Sequence, residues 1–325
     1  MKCSNPNCKE TNHEVGAKFC HVCGAPLIPN SIDEKSGRET STNALPPVKT
    51  FNVNGVSFNM ILVEGGTFWM GAQADDPKDR NYDSNAAWYS LPDKVGESPV
   101  HEVTLSSFYI GETVITQALW KAGGGKEATM LGGWRYGRGG NLPAYHISWN
   151  EFDYFIHKLN QYTGQKFRMP TEAEWEFAAR GGNRSGNTIY AGSNSIDDVA
   201  WYWKNSGDKY LLGKTDNDID WRKMEANNSR VHAVKEKLPN ELGLYDMSGN
   251  VWEWCQDIWG KYEDRPQYDP WGPYSSDSRA SRVIRGGSWG NPEKDCRITN
   301  RHGLWPFEGW MGGPGCFGLR LCLPC

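Results

Sequence analysis

The sequence contains no run of about 18 apolar residues, the length that a membrane-spanning helix requires. Its first eight residues include two cysteines and a proline but no apolar stretch typical of a secretory signal peptide. The formal net charge is −4 at pH 7, and no run of five like charges occurs, so the chain has no basic field for nucleic acid. These absences favour a cytoplasmic protein that neither crosses a membrane nor binds nucleic acid.

Long apolar runs are scarce and mean hydropathy is −0.68, yet the chain is rich in rings. It contains 16 Trp, 14 Tyr and 37 Gly among 325 residues. Aromatic side chains bury large areas while their N–H and O–H groups keep hydrogen-bond partners, so a few of them can fill a core. The length allows one large domain and an appendage. The composition therefore predicts an irregular, loop-rich α+β domain.

Four of the nine cysteines form two close pairs near the N-terminus, Cys3 with Cys8 and Cys20 with Cys23. Thiolate pairs on tight turns are typical ligands of a tetrahedral zinc ion, and so short a segment needs a metal to fold. We predict a zinc ribbon over residues 1–27, with structural Zn²⁺ and docking to a partner as its role. The metal-ligand spacing fits a reducing cytoplasm better than a disulfide framework. A redox-active Cys20–Cys23 pair is the alternative.

Residues 28–49 are polar, lack a period and carry proline near both ends, which is typical of a flexible linker. The remaining residues, 50–325, are expected to form the large domain. Within it, residues 60–63 and 67–70 flank Glu-Gly-Gly and predict a strand hairpin. Residues 184–237 are polar and poorly periodic, and we expect them to form long surface loops.

Two sequence patterns in the large domain predict helix starts. Ser148 with Glu151, and Thr171 with Glu174, have the spacing of capping boxes, in which each side chain bonds the other residue's backbone N–H. The first box precedes an apolar i, i+3, i+4, i+7 pattern that Gly164 ends.

Several long motifs point to one family. They read Arg-Met-Pro-Thr-Glu-Ala-Glu-Trp-Glu at 168–176, Asn-Val-Trp-Glu-Trp at 250–254, Arg-Gly-Gly-Ser-Trp at 285–289 and Gly-Leu-Arg at 318–320. Over roughly residues 50–323 the chain resembles the formylglycine-generating-enzyme (sulfatase-modifying factor) family. The resemblance implies a C-type-lectin-like fold of the glycine- and tryptophan-rich kind, which is an α+β fold.

The resemblance also implies a copper site in the members that oxidise cysteine. Their two cysteine ligands follow the Gly-Gly-Ser-aromatic motif, where this chain carries Asn291 and Cys296. One thiolate cannot make the two-sulfur site that Cu(I) favours, so we expect copper to be absent. The alternative is an oxygen-dependent oxidoreductase acting on protein cysteine or a small thiol, with Cys296 as its catalytic residue. Otherwise Cys296 and Cys255 should be small buried apolar residues.

Calcium is the second metal ion that the resemblance implies. Asn250, Val251 and Glu253 offer side-chain and backbone oxygens of the kind that Ca²⁺ prefers. The alternative is that Glu253 binds the amides of the adjacent turn.

The segment around residues 289–317 is unusually rich in Trp, Phe and Gly, between flanks that keep the family pattern. Rigid aromatic rings are favoured at binding hot spots. The arrangement resembles the variable proteins of diversity-generating retroelements, which use this fold and vary this region. We expect a recognition surface for a protein or other macromolecular ligand, although the rings could instead pack inside the domain. The candidate contacts are Asn291, Glu293, Lys294, Asp295, His302, Leu304, Trp305, Phe307, Glu308, Trp310 and Met311.

Overall fold

The chain divides into two units, Met1–Leu45 and Pro46–Cys325. In the computed structural model, the described residues are 2–3, 27–28, 45–79, 81–86, 96–126, 134–213, 218–309 and 316–325. In the first unit, strand β1 (Lys2–Cys3) pairs antiparallel with strand β2 (Leu27–Ile28).

The predicted zinc ligands are not placed by the structure. Cys8, Cys20 and Cys23 lie outside the described residues, and only the backbone of Cys3 is described. The zinc ribbon therefore stays a prediction.

Eleven strands are described in the second unit and belong to three sheets. They are β3 (Val48–Val53), β4 (Val56–Val63), β5 (Gly66–Met70), β6 (His101–Leu105), β7 (Phe108–Gly111), β8 (Trp252–Ile258), β9 (Gln267–Tyr268), β10 (Arg282–Arg285), β11 (Arg301–Leu304), β12 (Phe317–Gly318) and β13 (Cys322–Pro324). The strand orders are β11-β10-β8-β12, β13-β7-β4-β3 and β5-β6-β9. Since β3 begins at Val48, the predicted linker is too long at its C-terminal end.

The predicted hairpin between β4 and β5 is wrong. β4 pairs with β3 and β7, whereas β5 pairs with β6 in another sheet. The glycines between them let the chain pass close to the β6–β7 connection. A Cβ atom at Gly65 would lie 2.5 Å from the carbonyl oxygen of Leu105. The glycines therefore serve a crossing between sheets, which requires close backbone approach, rather than a tight turn.

Five helices are described in the second unit. They are α1 (Gln117–Ala122), α2 (Trp149–Thr163), α3 (Glu172–Ala179), α4 (Ile196–Val199) and α5 (Trp221–Ala226). Both predicted capping boxes form, at Ser148 and at Thr171. Gly164 ends α2 in the left-handed conformation, with φ of 69°. No helix among the described residues is long and apolar enough to cross a membrane.

Tryptophan fills the interior of the second unit, as the composition predicts. Trp134, Trp175, Trp254 and Trp289 are buried, and each indole N–H has an acceptor. Residues 184–237 contribute buried side chains too, including Tyr202, Trp203, Met224 and Val231. The expectation of surface loops there is therefore wrong in part, because single large residues anchor the segment without a periodic pattern.

Candidate functional site

Four arginines near the C-terminus are at most 3% exposed, and each contacts an acidic side chain. They are Arg285, Arg297, Arg301 and Arg320, and we call them the arginine frame. Arg320 donates to both carboxylate oxygens of Glu253, with a shortest nitrogen–oxygen distance of 2.8 Å. Glu253 lies on β8, so this pair joins the C-terminal segment to an inner strand of the sheet.

The other three arginines bind helix α3 and the segment that precedes β6. Arg301 donates to both oxygens of Glu172 at 2.7 Å. Arg285 donates to Glu172 and Glu176, and Arg297 donates to Glu97 and Asp83.

The pairing determines what these charges contribute to the fold. A buried charge is costly unless it is paired and hydrogen-bonded, so the frame holds its segments in one arrangement. Residues 285–320 are therefore tied at four points to other parts of the unit.

The predicted calcium ligands already have protein partners. Glu253 accepts from Arg320 and, at 2.8 Å, from the indole N–H of Trp175. The Asn250 side-chain oxygen accepts the backbone N–H of His232 at 3.0 Å. A guanidinium beside the carboxylate opposes a cation, so these residues do not fit Ca²⁺. The calcium site stays a prediction that these contacts do not support.

Asn291 occupies the position of the first copper-binding cysteine. Both the oxygen and the nitrogen of its side-chain amide form hydrogen bonds. Its oxygen accepts from the indole N–H of Trp252 at 3.0 Å and from the Ser288 hydroxyl, and its nitrogen donates to Asp295 at 2.8 Å. Cys296 is fully buried, and burial, followed by the nearby Asp295 carboxylate, raises the pKa of its thiol well above the usual range. A neutral, enclosed thiol is neither a good nucleophile nor a ready metal ligand.

The other described cysteines are free thiols. Cys255, Cys316 and Cys322 are buried, Cys325 is exposed, and none forms a disulfide. Cys316 accepts from the indole N–H of Trp289 at 3.1 Å, and burial raises the pKa of its thiol. Across the described ranges, no three His, Cys, Asp or Glu side chains are grouped so that they could hold a metal ion.

Trp305 and Phe307 are the exposed part of the predicted recognition surface, and we call them the aromatic pair. They are 53% and 54% exposed, and their rings stack with centroids 5.7 Å apart. The backbone between them is fixed because the carbonyl of Pro306 accepts the N–H of Asn150 at 3.0 Å. The pair therefore presents two rings to solvent from an anchored backbone.

Several predicted contacts are less accessible than expected. Leu304 is only 6% exposed and belongs to the core, and Asp295 is 5% exposed, so the surface role predicted for these two is wrong. The His302 ring lies edge-on to Trp252, and burial lowers its pKa. Glu293 pairs with Lys204. Lys294 and Glu308 are partly exposed, whereas Trp310 and Met311 lie outside the described residues.

A pocket of about 300 Å³ that the sequence motifs do not indicate lies beside Asp257. Asp257 is 4% exposed and ends the nearly continuous buried stretch of β8. Burial, followed by the nearby Glu172 carboxylate, raises its pKa to about 8. A carboxylate on a strand buried on both faces is the signal that could have identified it.

Comparison with known proteins identifies the family that the sequence motifs resemble. Residues 46–312 match the sulfatase-modifying factor enzyme 1-like domain. The chain is 30% identical to the chaperone protein LppX of Paenibacillus barcinonensis, over 78% of this chain and 88% of that protein. It is 31% identical to the formylglycine-generating enzyme of Streptomyces coelicolor, over 60% of this chain and 71% of the enzyme.

A solved structure is similar as well. Treponema denticola variable protein 1 superposes with a TM-score of 0.63 and 27% sequence identity. The match covers 86% of this chain and all of the variable protein.

Proposed function

Since the chain belongs to the sulfatase-modifying factor enzyme 1-like family, we propose that it uses the family scaffold to bind a protein or other macromolecular ligand through residues 289–317. The observation that carries this proposal is the exposure of Trp305 and Phe307, each more than half accessible. Both rings lie in a stretch whose flanks are fixed by the arginine frame.

An exposed, anchored ring pair is well suited to recognition. Large aromatic side chains carry much of the energy at binding hot spots, and rings with few rotatable bonds lose little entropy on binding. The backbone at Pro306 is already held by Asn150, so less freedom remains to be lost. One similar protein is named as a chaperone, a class of proteins that act by binding other proteins.

Unbiased peptide selection tests the proposal. A random peptide library displayed on phage is selected on the full chain, and the recovered peptides are titrated against Trp305→Ala/Phe307→Ala. We expect most peptides to lose at least about tenfold in affinity, or about 1.4 kcal/mol. Tyr154→Ala, at a side chain that is 63% exposed, is the control and should bind normally. Peptides that bind the double variant as tightly as the parent would contradict the proposal.

A finer proposal is that the region is diversified by a retroelement. The neighbouring DNA would then contain a reverse-transcriptase gene and a near-copy of the codons for residues 289–320, differing only at adenines. Sequencing that neighbourhood decides the matter, since absence of either element removes the diversification proposal while leaving the binding proposal to the peptide experiment.

The alternative, a copper-dependent thiol oxidase, is opposed by Asn291 and by the buried Cys296. Incubation with Cu(I), oxygen and a cysteine-containing peptide should yield no aldehyde. Asn291→Cys restores two thiols at the family spacing and is the matched variant, expected to gain Cu(I) binding. Aldehyde formed by the parent chain and lost in Cys296→Ser would establish the oxidase instead.

A further inference from the structure

The pocket beside Asp257 is separate from the aromatic pair, which contributes none of its lining. One wall is formed by residues 260–273, which carry Tyr262, Trp271 and three prolines. Asp257 and Glu172 also line the pocket, where β8 ends and α3 begins. The pocket therefore combines aromatic and proline side chains with two buried carboxyl groups.

Glu172 is fully occupied by the protein itself. Arg301 and Arg285 donate to its carboxylate, and the Tyr262 hydroxyl donates to it at 3.1 Å. Its charge is thereby compensated, so it is not available as a partner for a cation.

The Asp257 carboxyl group, in contrast, is only partly hydrogen-bonded by the described residues. One of its oxygens, Oδ2, accepts the backbone N–H of Glu172 at 2.7 Å. No residue in the described part of the chain hydrogen-bonds to the other oxygen, Oδ1, and Asp257 lines the pocket. Gly272, with φ of +69°, passes so close that a Cβ there would lie 3.0 Å from Oδ1.

The rim of the pocket has an unpaired positive charge. Lys261 lines the pocket, is exposed, and has no ion-pair partner among the residues that the structure describes. The neighbouring Glu263 is neutralised by Arg265. An anion entering the pocket would therefore meet a free ammonium group.

We propose that this pocket binds a small organic carboxylate with an apolar body, whose carboxylate accepts a hydrogen bond from the Asp257 carboxyl group and lies near Lys261. The Oδ1 atom carries the donated proton because Oδ2 already accepts from a backbone amide. A carboxylic acid kept neutral by its surroundings acts as a hydrogen-bond donor.

The protonation state of Asp257 supports this assignment. Burial, then the Glu172 carboxylate, raises its pKa to about 8, so the group is mostly neutral at pH 7. The charged and titratable groups that act on it from the surrounding elements are Glu172 and Glu174 of α3, Arg301 of β11, Arg282 of β10, Arg168, and Cys255 of β8.

Ligand-observed NMR titration of the full chain with benzoate tests the proposal, with benzylamine as the cation of matched size. Between about pH 5, where benzoate is still ionised, and about pH 8, benzoate should bind with constant affinity. Above about pH 8 its affinity should fall about tenfold per pH unit, because one proton is linked to binding. Asp257→Asn keeps a donor at this position, so it should bind benzoate without that loss. Benzylamine should not bind.

Lys261→Met tests the rim independently of the buried aspartate and should weaken benzoate binding several-fold. Lys223→Met, at an exposed side chain that does not line the pocket, is its control. Preferential binding of benzylamine, benzoate affinity that ignores both pH and Lys261→Met, or no benzoate binding at millimolar concentration would each overturn the proposal.

Discussion

Two sets of large side chains in the C-terminal stretch are placed against their usual preferences. The arginine frame is at most 3% exposed, whereas the aromatic pair is more than 50% exposed. Arginine is rarely buried completely, and large rings normally supply the core. The difference shows that charged pairs fix this stretch while two of its rings stay exposed to solvent.

The largest effect is expected when one acidic partner of the arginine frame loses its charge. Glu253→Gln leaves Arg320 buried without its anion and should reduce the free energy of unfolding by about 3–5 kcal/mol in denaturant titration. Glu263→Gln, which removes an exposed partner of Arg265, is the control and should cost less than about 1 kcal/mol. Equal effects of the two variants would show that the frame does not hold the unit together.

The second prediction concerns large apolar side chains that are buried in the same region. Trp289 is inaccessible and Leu304 is 6% exposed, although Leu304 directly precedes the exposed Trp305. Trp289→Ala should cost about 3–5 kcal/mol and Leu304→Ala about 2–5 kcal/mol, because each leaves a cavity. Calorimetric melting would check both, and an unchanged melting temperature for Leu304→Ala would place that residue on the surface after all.

The third prediction uses pH. The pKa of Asp257 is raised to about 8, whereas an aspartate in an unfolded chain titrates near 4. The folded state therefore binds the extra proton between these values, and stability falls as pH rises towards 8. Asp246, whose pKa burial raises to about 6, contributes a similar fall mainly below pH 6. Between pH 6 and 8, Asp257→Asn should flatten the curve of unfolding free energy, and parallel curves would show that Asp257 is already ionised there.

Local interactions in this chain can be predicted from its sequence. Each capping box joins residues three positions apart, so the sequence around Ser148 and Thr171 predicts where the two helices begin. The frame could not be predicted this way, because Arg297 and Glu97 are 200 positions apart and Arg285 and Glu176 are 109 apart. Such pairs depend on the tertiary fold.

The candidate site was predicted only in part for a related reason. Exposure alternates from Leu304 through Pro306 to Phe307, with Trp305 and Phe307 outward. Which of these side chains point outward depends on where β11 ends, and the sequence does not show that boundary. The contacts predicted from residue type therefore included Leu304 and Asp295, which are buried.

The zinc prediction has the smallest expected consequence for the second unit. Metal analysis of the purified chain should find about one zinc, and replacing Cys20 and Cys23 by Ser should release it. Cys20 and Cys23 belong to the first unit, Met1–Leu45, so we expect the second unit to unfold cooperatively in that variant as it does in the parent. A parent chain purified without zinc would contradict the prediction.

The most direct test of the comparison is the free energy of unfolding of Trp305→Ala/Phe307→Ala, measured beside the parent in denaturant. Exposed rings contribute little to stability, so we expect a loss of no more than about 1 kcal/mol for the double variant, including the contact between the two rings. A loss of about 3–5 kcal/mol per ring, as for buried Trp289, would show that the aromatic pair belongs to the core and is not a recognition surface.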